Sequence, residues 1–119
     1  LEGSCVSGRL SMGENIGDLG GLQMAYTAWR QYVDEVHGGE APVLDGLTGD
    51  QRFFLAWAQV WRNLYTEDAL RAQIVQGPHS PAQYRINGVV RNLDAWYEAF
   101  GVTEEHELYL PPEQRVRIW

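Results

Sequence analysis

Two carboxylates stand four positions apart near the start of the chain, at Glu14 and Asp18. In a helix this spacing places both side chains on one face, a turn apart. At about 100° per residue they continue an apolar sector whose other members are Leu22, Ala25, Trp29, Tyr32 and Val36. Acids that point toward a packed surface need a cation or hydrogen-bond donors. We therefore expect this pair to contact either a cation or hydrogen-bond donors.

A local interpretation of the same pair remains open. Ser11 and Glu14 have the spacing of a capping box, in which Glu14 reaches back to the Ser11 N–H, and Asp18 would then interact with the helix dipole. Three glycines occur in the segment, although glycine destabilises a helix by roughly 1 kcal/mol relative to alanine. They predict the close approach of another element, at Gly17, Gly20 and Gly21.

A histidine and an arginine accompany a later helix start. Ser80 is expected to cap that helix, with Pro81 as its first residue. His79 then lies just outside the start of that helix. Taken alone, His79 and Arg85 would more often have structural or surface roles.

Several ordered motifs carry a resemblance to a known family. Residues 14–22 are similar to the ENIADxGG motif of the neprilysin-like zinc metallopeptidases, residues 51–61 to its QxFFxxxAQxW helix, and residues 79–88 to its HSPxxxRxxG segment. Matches at residues 92–100 and 117–119 extend the resemblance over nearly the whole chain. It implies an all-α fold, the helical carboxy-terminal subdomain of a zincin-type catalytic domain.

The resemblance also implies a role for each of the four polar residues. Glu14 corresponds to the third zinc ligand, and Asp18 to the acid that orients a zinc-bound histidine. His79 corresponds to the histidine that stabilises the oxyanion, and Arg85 to the arginine that holds the substrate backbone. A catalytic zinc takes three protein ligands, and its histidines need an acceptor on the far ring nitrogen. An acid pair one turn apart suits both tasks, and the implied activity is cleavage of peptides by metal-activated water.

The zinc site is nevertheless incomplete in these 119 residues. The His-Glu-x-x-His helix, which supplies two ligands and the general base, is absent; His106 begins a near-match without the second histidine, and His37 ends the first helix. Gly17 replaces the alanine usual in the family. We therefore expect residues 1–119 to be the carboxy-terminal piece of a larger zinc endopeptidase. Alone, the piece should be inactive and bind metal weakly at best.

Composition restricts other functions. The net charge is −7, and the chain has nine arginines but no lysine, so no basic patch exists for nucleic acid. No apolar run is long enough to span a membrane. The single Cys5 cannot form an internal disulfide, which favours a reducing bacterial cytoplasm. A secreted or membrane-anchored parent is left open.

Helix signals predict an all-α chain. The second helix is apolar on nearly every side and is expected to be buried, whereas the acidic run at residues 104–107 is expected to be solvated. The predicted helices are residues 11–37, a helix opened by a Thr48–Gln51 capping box, residues 66–77, a short helix after Ser80, and a last main helix between Asn92 and Gly101.

The aromatic stripe is expected to be core and not a ligand platform; it consists of Trp29, Tyr32, Trp57 and Trp61. If an absent half of the domain covers the face of Glu14, Asp18 and Trp29, the isolated chain exposes apolar surface there and should self-associate. A competing class of function is a non-catalytic helical module that binds protein or peptide on the same scaffold. An upstream His-Glu-x-x-His would favour the enzyme, and its degeneration the module.

Overall fold

The structure, a computed structural model, describes residues 5–118. Within that range the regular structure is helical, apart from a single bridge between Leu44 and Leu47. The elements are α1 (Gly8–His37), α2 (Gly49–Val60), α3 (Glu67–Gln76), α4 (Ala82–Val90), α5 (Asp94–Phe100) and a 3₁₀ turn at Pro112–Gln114. The all-α prediction is confirmed. None of the described helices combines the length and apolar character needed to cross a bilayer.

Helix α1 begins one turn earlier than predicted. Ser7 is its N-cap, and the Ser7 hydroxyl accepts a hydrogen bond from a backbone N–H of the first turn. Ser11 therefore lies inside the helix, where its N–H and its hydroxyl both donate to the Ser7 carbonyl. The capping box between Ser11 and Glu14 is wrong, because the Ser11 N–H is already bonded. At the other end, His37 is the last residue and Gly38 follows in the left-handed conformation, as predicted.

The glycines of residues 17–21 do not all mark a close approach. A Cβ added at Gly17 or Gly21 would meet no atom within 4 Å, so the prediction is wrong at both positions. A close approach to another element lies instead at Gly49, the first residue of α2, where a Cβ would come within 2.6 Å of the Ala41 Cβ and 2.9 Å of the Trp29 ring. Glycine at this point lets the start of α2 pack directly against α1.

The predicted capping box of α2 is confirmed. The Thr48 hydroxyl accepts from the Gln51 N–H, and the Gln51 side chain accepts from the Thr48 N–H. Gln51 also donates to the Ala99 carbonyl at 2.8 Å, which connects α2 to α5. The expectation of burial on nearly every side is wrong within the described residues. Phe54 is the only large side chain of α2 that is buried, and Val60 is 69% exposed, because α2 packs with a single face.

Two predicted N-caps form other contacts, and neither α4 nor α5 has a capping side chain. Ser80, expected to cap α4, donates its hydroxyl to Asn15 of α1 at 3.1 Å. Asn92, expected to cap α5, accepts a hydrogen bond from the Val116 N–H at 2.8 Å. Both side chains connect segments that are distant in sequence, which local capping rules do not describe.

The core lies where α1, α2, α4 and α5 meet. Trp57 packs against it, as predicted, but Tyr32 is half exposed, so the aromatic stripe is only partly core. Several apolar side chains of α1 are exposed, and self-association of the chain stays a prediction. The buried cluster consists of Leu19, Leu22, Phe54, Val89 and Val90, and the exposed apolar residues of α1 are Leu10, Met12, Ile16, Met24, Tyr32 and Val36.

One carboxylate joins α1 to the first turn of α2. Asp50 accepts hydrogen bonds from the Tyr26 hydroxyl at 2.9 Å, the Trp29 indole at 2.9 Å and the Arg30 guanidinium at 3.4 Å. Burial, followed by the hydrogen bond to Asp50, raises the pKa of Tyr26 to about 12. Three directional bonds to a single acceptor restrict the angle between the two helices.

The Tyr26 phenol should make stability depend on pH in the alkaline range. Its pKa is about 12 in the folded chain against an ordinary value of 10.0, so the folded state holds the proton more tightly. The resulting stabilisation is complete below pH 10 and is lost as the pH rises through 12. We expect Tyr26→Phe to lower the free energy of unfolding by about 1 kcal/mol more at about pH 8 than at about pH 11. Urea unfolding of both proteins at the two pH values measures this, and an equal loss at both would contradict the contact.

The segment after α5 folds back onto that helix. The Arg115 guanidinium lies 3.6 Å from the centre of the Tyr97 ring and donates to Asp94 at 2.7 Å. The Tyr97 hydroxyl is buried and donates to a backbone carbonyl at 2.7 Å. The acidic run at residues 104–107 is exposed, as predicted. His106 belongs to that run, and its Nδ1 accepts a hydrogen bond from a backbone N–H within the same turn at 3.0 Å.

Candidate active site

The two acids of α1 face the loop that precedes α4 and the first half of that helix. The Asp18 side chain is 10% exposed, whereas the Glu14 side chain is 46% exposed. The pair therefore occupies two environments, one enclosed and one open to solvent. An enclosed carboxylate needs a strong partner, and an open one is accessible to a ligand from outside.

Arg85 is the partner of Asp18. Its Nε and Nη2 atoms each lie 2.6 Å from a different oxygen of the Asp18 carboxylate, which is a bidentate pair. The Arg85 side chain is 12% exposed. The hydrogen bond to Asp18 raises the pKa of Arg85, against the opposing effect of burial, and the charges of Asp18 and Glu14 raise it further. Arg85 is thus held as a fixed cation between α1 and α4.

Glu14 and His79 form the open side of the cluster. The Nε2 atom of His79 lies 3.2 Å from Oε2 of Glu14, and Nη2 of Arg85 lies 3.8 Å from the same oxygen. The His79 side chain is 46% exposed, so both partners are accessible to solvent. When the imidazole is protonated the contact is an ion pair, and when it is neutral Nε2–H can still donate.

Trp61, which directly follows α2, packs its ring against one face of the Arg85 guanidinium. The Arg85 guanidinium carbon lies 3.8 Å from the centre of the indole ring, a cation–π distance. Trp57 packs edge-on against Trp61 at 5.5 Å between ring centres. One face of the guanidinium is therefore covered by an aromatic ring, while one edge is occupied by Asp18.

All four residues predicted for the site come together, although they span positions 14 to 85. The sequence predicts a core position for Trp61 and no site role for Asn15 or Ser80. Trp61 follows the apolar run of α2, so its helical spacing indicated packing and not contact with a cation. Nothing in the local pattern around Ser80 indicated a bond to α1, because Ser80 also fitted a helix cap.

The donors present fit part of a zinc site. Glu14 offers an accessible carboxylate oxygen next to an imidazole, which is suitable chemistry for one zinc ligand. Among residues 5–118, however, no group of three or more His, Cys, Asp or Glu side chains is arranged to hold a metal ion. A catalytic zinc with three protein ligands would need donors from outside this cluster.

Comparison with known proteins places the chain in a family. The model of peptidase family M13 matches residues 1–116. The chain belongs to peptidase family M13, and its resemblance to the neprilysin-like metallopeptidases is confirmed.

Relatives and solved structures agree with this assignment. Neprilysin-1 of Caenorhabditis elegans is 38% identical over 116 residues, and endothelin-converting enzyme 1 of Bos taurus is 40% identical over 121 residues. The zinc metalloprotease Zmp1 of Mycobacterium tuberculosis, solved in complex with an inhibitor, has a TM-score of 0.90 and 51% identity. The matches cover 96% to 100% of this chain but only 15% to 17% of those proteins. The chain thus spans about one sixth of the length of the relatives that it matches.

Proposed function

We propose that residues 1–119 are the carboxy-terminal part of a longer zinc metalloendopeptidase that hydrolyses peptides. The observation that carries the proposal is the convergence of Glu14, Asp18, His79 and Arg85 into one cluster. The family membership and the similarity to a zinc metalloprotease support it.

Glu14 is proposed as one zinc ligand. Its carboxylate is open to solvent, and its neighbours in the cluster are a histidine and an arginine, so a cation arriving there would compete with two donors. When bound, zinc supplies a Lewis acid and lowers the pKa of a bound water. The other ligands and the general base would come from an upstream His-Glu-x-x-His segment.

His79 is proposed to stabilise the negative charge that develops on the substrate carbonyl. Its Nε2 lies 3.2 Å from the Glu14 carboxylate, so an N–H donor at that nitrogen would lie beside the place where Glu14 would hold zinc. A preorganised donor in such a place contributes a few kcal/mol to lowering the barrier. The half-exposed ring has room to reach a bound peptide.

Arg85 is proposed to hold the backbone of the peptide substrate, and Asp18 to orient the Arg85 guanidinium. A guanidinium has five N–H donors, of which Asp18 engages two. Others remain for a substrate carbonyl, while Trp61 covers one face of the group. A carboxylate has about four lone-pair sites, so Asp18 can also accept from a zinc-bound histidine, as the family resemblance implies.

Peptide hydrolysis by the longer protein and by residues 1–119 alone tests the proposal. We expect the longer protein to cleave a mixture of short peptides, to lose activity with a chelator and to regain it with zinc. The 119-residue chain should show no turnover, because it offers only one of the three ligands. A longer protein that binds peptides without cleaving them, and carries no zinc, would contradict the proposal and favour a binding module.

A further inference from the structure

An uncharged hydrogen-bond relay connects α1 to the loop before α4. Ser80 Oγ donates to Asn15 Oδ1 at 3.1 Å, and Asn15 Nδ2 donates to Ser11 Oγ at 3.2 Å. Ser11 Oγ in turn donates to the Ser7 carbonyl at 3.1 Å. The relay thus runs from the start of α1 to the segment that carries His79, and each of its three bonds has a defined donor and acceptor.

The relay contains the two most buried polar residues of the described chain. Ser11 is 2% exposed and Ser80 is 3% exposed. Buried hydroxyls must be hydrogen-bonded, and losing one partner leaves the other unsatisfied. Since Ser80 reaches only Asn15 through its hydroxyl in the described contacts, the bond restricts where the loop can lie on α1. An apolar contact at the same place would fill space without fixing the position of the loop along α1.

The relay and the proposed site are neighbouring contacts between the same two segments, α1 and the loop before α4. Asn15 follows Glu14 and Ser80 follows His79 in the sequence. The Asn15–Ser80 bond of 3.1 Å therefore lies beside the Glu14–His79 contact of 3.2 Å. Glu14 is fixed by α1, but His79 belongs to a loop and is nearly half exposed, so its placement depends on its neighbours.

A weaker contact holds the same loop from α3. Gln73 Nε2 lies 3.4 Å from the carbonyl oxygens of both His79 and Ser80. These are long hydrogen bonds shared between two acceptors, and they involve the loop backbone only. The relay to α1 is the shorter side-chain connection to this loop.

We propose that Asn15 and Ser80 are positioning residues, which hold the His79 imidazole in register with the Glu14 carboxylate during peptide hydrolysis. This inference rests on the proposed function. It assigns the pair no contact with substrate or zinc. Their substitution should therefore affect the step that His79 assists and leave metal binding unchanged.

Kinetics of Asn15→Ala, Ser80→Ala and the double variant in the longer peptidase test this inference. Each single variant should lower kcat about tenfold, the lower end of the loss seen when groups that orient a site are removed. KM and the zinc dissociation constant should stay within about twofold. The double variant should also lose about tenfold and not a hundredfold, because two residues that act through one bond are not additive.

Tyr97→Phe is the matched control, since it removes another buried hydroxyl, one that donates to the Arg91 and Leu110 carbonyls and takes no part in the relay. It should lower the thermal unfolding midpoint without changing kcat. Unchanged kcat in both single variants, independent losses that multiply in the double variant, or a parallel loss of zinc affinity would each overturn the inference. A parent protein that neither binds zinc nor cleaves peptides contradicts the proposed function itself, and it is recognised before any variant is measured.

Discussion

Replacing Glu14 by alanine in the longer protein is expected to abolish stoichiometric zinc binding. The residue offers the accessible carboxylate of the cluster, and loss of a direct ligand should exceed the 10–100-fold loss in metal affinity that is typical of groups acting through a ligand. We expect zinc affinity to fall by at least about 100-fold and peptide hydrolysis to fall with it. Zinc content after dialysis and turnover with added zinc measure the two effects.

Glu67→Ala provides the control for this substitution. Glu67 is 70% exposed and pairs with Arg71 within α3, so it offers a carboxylate of the same kind away from the cluster. Its removal should leave zinc content and turnover unchanged. A Glu14→Ala protein that retains one tightly bound zinc per chain would show that Glu14 is not a ligand.

Replacing Arg85 by alanine should give the largest loss of stability. The change leaves the Asp18 carboxylate, only 10% exposed, without its bidentate partner. Breaking a buried ion pair by removing one member costs about 3–5 kcal/mol. The free energy of unfolding of Arg85→Lys should lie between those of the unsubstituted chain and Arg85→Ala, because an ammonium keeps the charge but cannot pair through two parallel N–H groups. Urea unfolding of the 119-residue chain measures the differences.

Arg117→Ala is a suitable comparison, since it also breaks an arginine–aspartate pair. Arg117 is 69% exposed and its partner Asp94 is 52% exposed, and exposed pairs contribute about 0–1 kcal/mol. We expect a loss in that range. If Arg85→Ala cost no more than Arg117→Ala, then Asp18 and Arg85 would not form an enclosed pair in solution.

The four residues of the cluster can be singled out from the sequence because each belongs to an ordered motif. Glu14 and Asp18 share a helix face, and His79 and Arg85 share one segment, so the family resemblance was sufficient to name all four. The structure adds their mutual geometry. It pairs Asp18 with Arg85 and Glu14 with His79, and it places an aromatic ring beneath the arginine.

Local patterns failed where a side chain bonds to a distant segment. Thr48 and Gln51 satisfy each other within one turn, and their capping box was predicted correctly. Ser80 and Asn92 carry the same cap signal, but their polar atoms bind Asn15 and Val116. Capping rules describe only neighbours in sequence, so they could not identify these contacts.

The burial of α2 is the other property that the sequence did not predict correctly. The apolar composition of α2 predicts a helix covered on nearly every side, yet the described residues cover a single face. Composition indicates how much surface a helix can bury and not which segment covers it. Because relatives of this chain are about six times longer, the remaining surface of α2 is a candidate contact for other parts of such a protein.

X-ray diffraction from crystals of the longer protein, collected at the zinc absorption edge, shows whether zinc binds at Glu14. We expect one anomalous peak about 2.0–2.2 Å from a carboxylate oxygen of Glu14, with His79 close by and Asp18 still paired with Arg85. A zinc peak away from Glu14, or a zinc-free protein in which Glu14 remains paired with His79, would contradict this expectation.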